Sequence, residues 1–105
     1  MTDVSIDAFA AAHADGAAVI DVREPGEYVA GHVPGAVLVP MGQLAIRLGD
    51  LDRSRPVYLI CATGNRSSAM ADFLSNMGFD ARSVSGGTTA WQAAGRPVVS
   101  GARAA

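Results

Sequence analysis

The sequence around Cys61, the only cysteine of the chain, has the residue types for nucleophilic chemistry. Residues 57–60 form a short apolar run with β-branched and aromatic side chains, which predicts a buried strand that ends at the cysteine. Residues 62–66 then turn, and a helical pattern follows at residues 67–77. A cysteine in this place faces backbone N–H groups that have no partner inside the helix, and such groups bind anions and stabilise a thiolate.

The residues that follow Cys61 favour a reactive cysteine over the alternative, a small apolar side chain of the core. Gly64 permits a tight or left-handed backbone, and Arg66 adds a positive charge with a planar set of donors that suits an oxyanion. Ser67 is interpreted as the cap of the helix rather than as a nucleophile. We therefore predict that Cys61 is catalytic and that the loop after it binds an anionic substrate through Ala62, Thr63, Gly64, Asn65, Arg66 and Ser67.

Alternating strand and helix patterns must position this loop. Strands are predicted at residues 17–22, 36–39, 57–60 and 79–84, and helices at residues 6–14, 27–30, 41–48, 67–77 and 89–94. This alternation predicts an α/β fold with a mostly parallel sheet and helices on both faces. The 105 residues form one domain, with a core at about residues 4–99 and a frayed tail at residues 100–105.

Three further polar residues are candidates for a supporting role at the site. Asp21 and Arg23 end the strand predicted at residues 17–22, and ligands of open α/β sheets lie at the carboxyl ends of strands. We favour structural ion pairs for these two residues over direct contact with a substrate. His32 is expected to brace its loop through a hydrogen bond rather than act as a base, and Trp91 is expected in the core.

Composition and charge exclude several classes of protein. A net charge of −2 gives no basic surface for nucleic acid, and no apolar run approaches the ~20 residues of a membrane span. The amino terminus lacks a signal-peptide pattern, and one cysteine cannot form an internal disulfide, so the expected compartment is the cytoplasm. Two histidines and one cysteine, far apart in sequence, make a poor zinc site, and we expect no metal.

Three segments in register resemble the single-domain rhodanese family. They are residues 21–36, which include Gly31-His32-Val33-Pro34-Gly35-Ala36, residues 61–67, and residues 86–98, which begin with Gly86-Gly87. The resemblance implies a rhodanese-like domain with about five parallel strands and a persulfide mechanism on Cys61. One difference concerns Ala62, because many relatives carry a basic residue directly after the cysteine. The site is therefore less cationic, which weakens the expectation of a preference for thiosulfate.

The mechanism implied is that of a thiosulfate sulfurtransferase. The Cys61 thiolate attacks the outer sulfur of a donor such as thiosulfate, sulfite leaves, and a thiophilic acceptor removes the sulfur from the resulting persulfide. The expected partners are a small sulfur-donor anion and an acceptor, which is cyanide in vitro and a thiol or a protein in the cell. No cofactor, nucleic acid or membrane is expected to take part, and the chain is expected to be a monomer or a weak homodimer.

Two other functions remain open from the sequence. A phosphatase or an arsenate reductase also places a cysteine in a loop before a helix, but tyrosine-phosphatase-like loops have five residues between cysteine and arginine. Four residues separate Cys61 from Arg66, which favours a cradle for one sulfur atom over one for a phosphate. A persulfide carrier or regulatory module needs the same loop as the enzyme, and rates with small donors and with a protein acceptor would separate the two.

Overall fold

A single parallel sheet of five strands forms the centre of the structure, which is a computed structural model that describes residues 3–105. The strand order is β1-β5-β4-β2-β3, and every neighbouring pair is parallel. This confirms the α/β class and the number of strands. The strands are β1 (Asp3–Val4), β2 (Ala18–Asp21), β3 (Val37–Leu38), β4 (Val57–Ile60) and β5 (Ala81–Val84).

Helices cover both faces of the sheet because the central strand is apolar on both sides. In β4, Val57 and Leu59 pack in one core cluster with Leu74, whereas Tyr58 and Ile60 pack in a second cluster on the other face with Phe9 and Trp91. A strand that is buried on both faces is typical of a parallel sheet. The helices are α1 (Ile6–Ala14), α2 (Pro25–Ala30), α3 (Asn65–Asn76) and α4 (Gly87–Ala93), with 3₁₀ helices at Met41–Gln43 and Ala45–Asp50.

The ends of the helices were predicted with mixed success. The bounds of α1 are confirmed, and Ser5 caps this helix by accepting a hydrogen bond from the Ala8 N–H. Helix α3 begins two residues earlier than predicted, since Gly64 with φ of 111° is its N-cap. The prediction that Ser67 caps the helix is therefore wrong: this residue lies inside the first turn, and its hydroxyl donates to the Gly64 carbonyl. Helix α4 likewise begins two residues early.

The segment between β3 and β4 is less regular than predicted. The strand expected at residues 36–39 is reduced to Val37–Leu38, and the helix expected at residues 41–48 is replaced by the two 3₁₀ helices. Leu44 is fully buried, whereas Ile46 is 84% exposed. Since little of this segment is anchored in the core, helical spacing alone did not establish a regular α-helix.

The carboxyl-terminal residues pack against the domain instead of fraying as expected. The Gly101 N–H donates to the carbonyl of Val29, and the Gly35 N–H donates to the carbonyl of Ala104. Val99 forms an antiparallel bridge with His32, which joins the chain end to the loop after α2. Among residues 3–105, no helix has the length and apolar character needed to cross a bilayer.

Candidate active site

Cys61 lies at the carboxyl end of the central strand β4, where the loops of neighbouring strands meet. Its neighbour Ile60 pairs with Asp21 of β2, and Leu59 pairs with Ser83 of β5. Cys61 is 1% exposed and is a free cysteine. The cysteine predicted to be the nucleophile is therefore attached to β4, the central strand of the sheet, which is held between β2 and β5.

Donors from the start of α3 converge on the Cys61 sulfur. The Gly64 N–H donates to Sγ at 3.1 Å, the Ser67 N–H at 3.4 Å, and the Ser67 hydroxyl oxygen lies 3.4 Å from the same sulfur. Burial raises the pKa of the Cys61 thiol, but the hydrogen bonds from the Ser67 side chain and from the N–H groups of Ser67, Gly64 and Thr63 outweigh burial and leave the pKa below its ordinary value. The site therefore favours the thiolate.

The shape of this loop depends on close packing against the turn between β5 and α4. The Thr88 N–H and hydroxyl both donate to the Cys61 carbonyl, and the Thr89 N–H donates to the Ala62 carbonyl. At Gly87, with φ of 57°, a Cβ would lie 2.7 Å from the Ala62 carbonyl carbon and closer still to the Cys61 carbonyl oxygen. Only glycine allows this approach of two backbones, which fixes the cysteine carbonyl in place.

A pair of buried hydroxyls extends from the cysteine into the sheet. Ser67 and Ser83 are both buried, and their hydroxyl oxygens are 2.7 Å apart. When Cys61 is a thiolate, the Ser67 hydroxyl can turn from the Gly64 carbonyl to donate to the sulfur, while Ser83 donates to the Ser67 oxygen. Sequence reasoning missed Ser83, because a serine in a strand gives no sign of the neighbour it will meet. Its position three residues before Gly86-Gly87 was the only available signal.

Arg66, predicted to bind the substrate anion, forms a bidentate ion pair with Glu27. Its two terminal nitrogens lie 2.8 and 2.9 Å from the two carboxylate oxygens of Glu27. This hydrogen bonding from Arg66 is the main cause that lowers the pKa of Glu27 to about 2. Sequence reasoning missed the pair, since the two residues are 39 positions apart and belong to α2 and α3.

The other polar candidates, Asp21, Arg23 and His32, are all buried. Asp21 and Arg23 are buried and paired with each other, with Arg23 Nη2 at 2.8 Å from the Asp21 carboxylate and also donating to the Gly31 carbonyl. The His32 Nδ1 lies 2.9 Å from the Tyr28 carbonyl oxygen, and the two rings stack at 3.7 Å. These contacts agree with the structural and loop-bracing interpretations of the sequence.

The remaining loop residues differ in how much of them reaches solvent. Thr63 and Asn65 are exposed, whereas Ala62 is partly buried. Trp91 is buried in the core as predicted, and its indole N–H donates to the Pro97 carbonyl. In the described part of the chain no group of three or more histidine, cysteine, aspartate or glutamate side chains is placed to hold a metal ion.

The chain is similar to several known proteins. The model of the rhodanese-like domain matches residues 5–94. A relative from Pseudoalteromonas translucida, named thiosulfate sulfurtransferase GlpE, is 35% identical over 77 residues, which cover 72% of this chain and 73% of the relative.

Solved structures agree with this match. A rhodanese-related protein from Thermoplasma volcanium superposes with a TM-score of 0.88 at 32% identity, covering 94% of this chain and 98% of that protein. A rhodanese-like domain protein from Staphylococcus aureus superposes with a TM-score of 0.81 at 30% identity, covering 87% and 91% of the two chains. With its cysteine loop at the end of the central strand and a family match over most of its length, this chain belongs to the rhodanese-like family.

Proposed function

We propose that this protein is a sulfurtransferase that carries a sulfane sulfur on Cys61, from a donor such as thiosulfate to a thiophilic acceptor. The observation that carries the proposal is the convergence of two backbone N–H groups, from Gly64 and Ser67, on one buried sulfur. The similarity to a protein named thiosulfate sulfurtransferase supports the same class of reaction. Neither half of the proposed reaction needs a metal or an organic cofactor.

In the first half-reaction, the Cys61 thiolate attacks the outer sulfur of thiosulfate. A sulfur–sulfur bond forms to Sγ, the bond between the two donor sulfurs breaks, and sulfite leaves with that electron pair. The products, a cysteine persulfide anion and sulfite, carry the same total charge as the thiolate and thiosulfate. The lowered thiol pKa raises the fraction of Cys61 that is present as the attacking thiolate.

The second half-reaction returns the cysteine to its thiolate form. A nucleophile such as cyanide attacks the terminal sulfur of the persulfide, takes it as thiocyanate, and leaves the electron pair on Sγ. N–H groups of the first turn of α3 lack acceptors inside the helix and can stabilise the anionic terminal sulfur. In the cell the acceptor would be a small thiol or a protein thiol in the reducing cytoplasm, with the enzyme acting as a monomer or a weak homodimer.

Intact mass spectrometry after treatment with thiosulfate tests this proposal. We expect the wild-type protein to gain the mass of one sulfur atom and to lose it to cyanide with release of thiocyanate, whereas Cys61→Ser gains nothing. An unchanged wild-type mass with every sulfane sulfur donor tried would overturn the proposal. Hydrolysis of an aryl phosphate by the wild-type protein, abolished in Cys61→Ser, would favour a phosphatase. A persulfide that forms but passes only to a protein acceptor would favour a carrier.

A further inference from the structure

The two arginines of the predicted site are both held in ion pairs. Arg23 is buried against Asp21, and Arg66 is paired through two hydrogen bonds with Glu27. Position 62, directly after the cysteine, is an alanine. The backbone N–H groups of the loop therefore attract an anion, while the one cationic side chain of the loop, Arg66, is matched by a carboxylate.

Glu27 is fixed from two directions, so its pairing with Arg66 does not depend on a single contact. Its Oε1 accepts from the Glu24 N–H at 3.1 Å as well as from Arg66, as part of a capping box at the start of α2. The pKa of Glu27, lowered to about 2, keeps the carboxylate charged throughout any neutral assay. The pKa of Arg66 is raised, mainly by the same hydrogen bonding, so the pair is a permanent one with no net charge.

The effect of this ion pair on substrate binding depends on the charge of the sulfur donor. Coulomb energy is proportional to the product of the charges, so an unpaired Arg66 would attract a dianion twice as strongly as a monoanion at the same distance. Pairing with Glu27 opposes that attraction and therefore penalises a dianionic sulfur donor more than a monoanionic one. Arg66 and Glu27 side chains are 33% and 36% exposed, so solvent and salt moderate the effect without abolishing it.

We propose that Glu27 determines the donor class of this site by neutralising Arg66, and that it shifts the preference of the protein away from the thiosulfate dianion toward sulfane sulfur donors with one negative charge. This inference rests on the proposed sulfur transfer through Cys61. Hydropersulfide anions and organic thiosulfonate anions are the classes of donor that fit. Glu27 is a specificity-determining residue in this account, because it acts on the donor through Arg66.

Methanethiosulfonate is the matched probe for thiosulfate. It has the same thiosulfonate group with a methyl in place of one charged oxygen, and so has one negative charge instead of two. In its reaction the Cys61 thiolate bonds to the outer sulfur, the sulfur–sulfur bond of the donor breaks, and methanesulfinate leaves with the electron pair. Both donors yield the same persulfide, so release of thiocyanate from cyanide reports both reactions.

The Glu27→Gln variant is the central test. Glutamine keeps an oxygen that can accept from the Glu24 N–H, so the capping box is retained while the charge is lost. At low ionic strength we expect kcat/KM to rise about tenfold for thiosulfate and about threefold for methanethiosulfonate. These factors are the Coulomb attractions of a dianion and of a monoanion to one unpaired positive charge ~6 Å away in water. The ratio of the two values then rises about threefold, and the rise shrinks with added salt.

Two further variants make the outcome decisive. Glu27→Gln combined with Arg66→Gln removes both charges. The ratio of kcat/KM for thiosulfate to kcat/KM for methanethiosulfonate should then return to the wild-type value. Ala62→Lys adds a cation without touching the pair and should raise the ratio, which shows that the assay detects charge even if Glu27→Gln folds poorly. A ratio that rises in Ala62→Lys but is unchanged or lower in folded Glu27→Gln would overturn the inference, as would a double variant whose ratio stays high.

The same measurements separate this inference from the proposed function. If neither donor places a sulfur on wild-type Cys61, the sulfur-transfer proposal itself fails. If both donors do so and the wild-type protein uses thiosulfate as well as Glu27→Gln does, only the role of Glu27 fails.

Discussion

Two loops that leave neighbouring strands at the same edge of the sheet differ in where their polar groups find hydrogen-bond partners. At the end of β2, Asp21 forms an ion pair with Arg23, and Arg23 also donates to the Gly31 carbonyl. After β4, backbone donors from Gly64 and Ser67 point at a single sulfur that has no cationic side chain bonded to it. In the first loop the charged side chains of Asp21 and Arg23 are paired with each other. In the second loop few side chains are charged, and the backbone N–H groups point at one sulfur atom.

The difference indicates that the reactivity we propose for Cys61 follows from the direction of hydrogen-bond donors rather than from the number of charged residues at this edge. A charge that is already paired and buried has little left to offer a substrate, but it is costly to disturb. Backbone N–H groups aimed at one atom stabilise an anion there without a counter-ion of their own. Variants in the first loop should therefore affect stability, and variants around the second should affect the cysteine.

Asp21→Asn should have the largest effect, and it should be on stability. The substitution leaves the buried Arg23 guanidinium without its carboxylate, which destabilises a protein by about 3–5 kcal/mol. Urea denaturation measures the loss. The control is Asp50→Asn, which breaks the more exposed Arg47–Asp50 pair and should change the free energy of unfolding by at most ~1 kcal/mol. Equal losses in the two variants would contradict the view of the first loop as a closed structural unit.

Gly87→Ala should damage both stability and the geometry of the cysteine loop. The new Cβ would collide with the backbone of Cys61 and Ala62 and would occupy a left-handed conformation, for a combined loss of roughly 2–4 kcal/mol. Gly95→Ala is a matched control, since Gly95 also has a positive φ of 78° but has nothing within 4 Å of the added Cβ. We expect Gly95→Ala to lose only the part of the stability that comes from placing alanine in a left-handed conformation, and we expect the rate of cysteine alkylation to be unchanged. Similar alkylation in both variants would show that the turn does not position Cys61.

Ser83→Ala should have the smallest effect, confined to the acidity of the cysteine. Without Ser83 as a partner, the Ser67 hydroxyl is a poorer donor to the sulfur, so the pKa of Cys61 should rise and alkylation at neutral pH should slow about threefold. Ser67→Ala should slow it more. The combination of the two should be no slower than Ser67→Ala alone, because Ser83 acts through Ser67. Additive decreases in the alkylation rate would contradict the view that Ser83 acts through Ser67.

Local patterns predicted much of this molecule because they reflect burial. The run at residues 57–60 became β4 with the predicted bounds, and the cysteine after it lies where a strand gives way to a helix. The all-parallel sheet followed from alternating strands and helices. Strand β1 did not, since two residues carry too little periodicity to be recognised.

Pairings between distant residues could not be predicted in the same way. Nothing near Arg66 indicates Glu27, and nothing near Ser67 indicates Ser83, because each contact exists only once the strands and helices have packed. The start of α3 was misplaced for a related reason. A serine is a good cap by type, but the left-handed Gly64 ended the turn earlier and placed Ser67 in the first turn of the helix.

The pH dependence of the Cys61 thiolate tests the central claim most directly. Thiolate formation is followed by ultraviolet absorbance and by the rate of alkylation in the folded protein, with Cys61→Ser as the blank. We predict a single titration step with a midpoint below that of an unperturbed cysteine, because the Gly64 and Ser67 donors stabilise the anion more than burial destabilises it. A midpoint at or above that value would mean that burial prevails, and the loop would then not be the device that activates this cysteine.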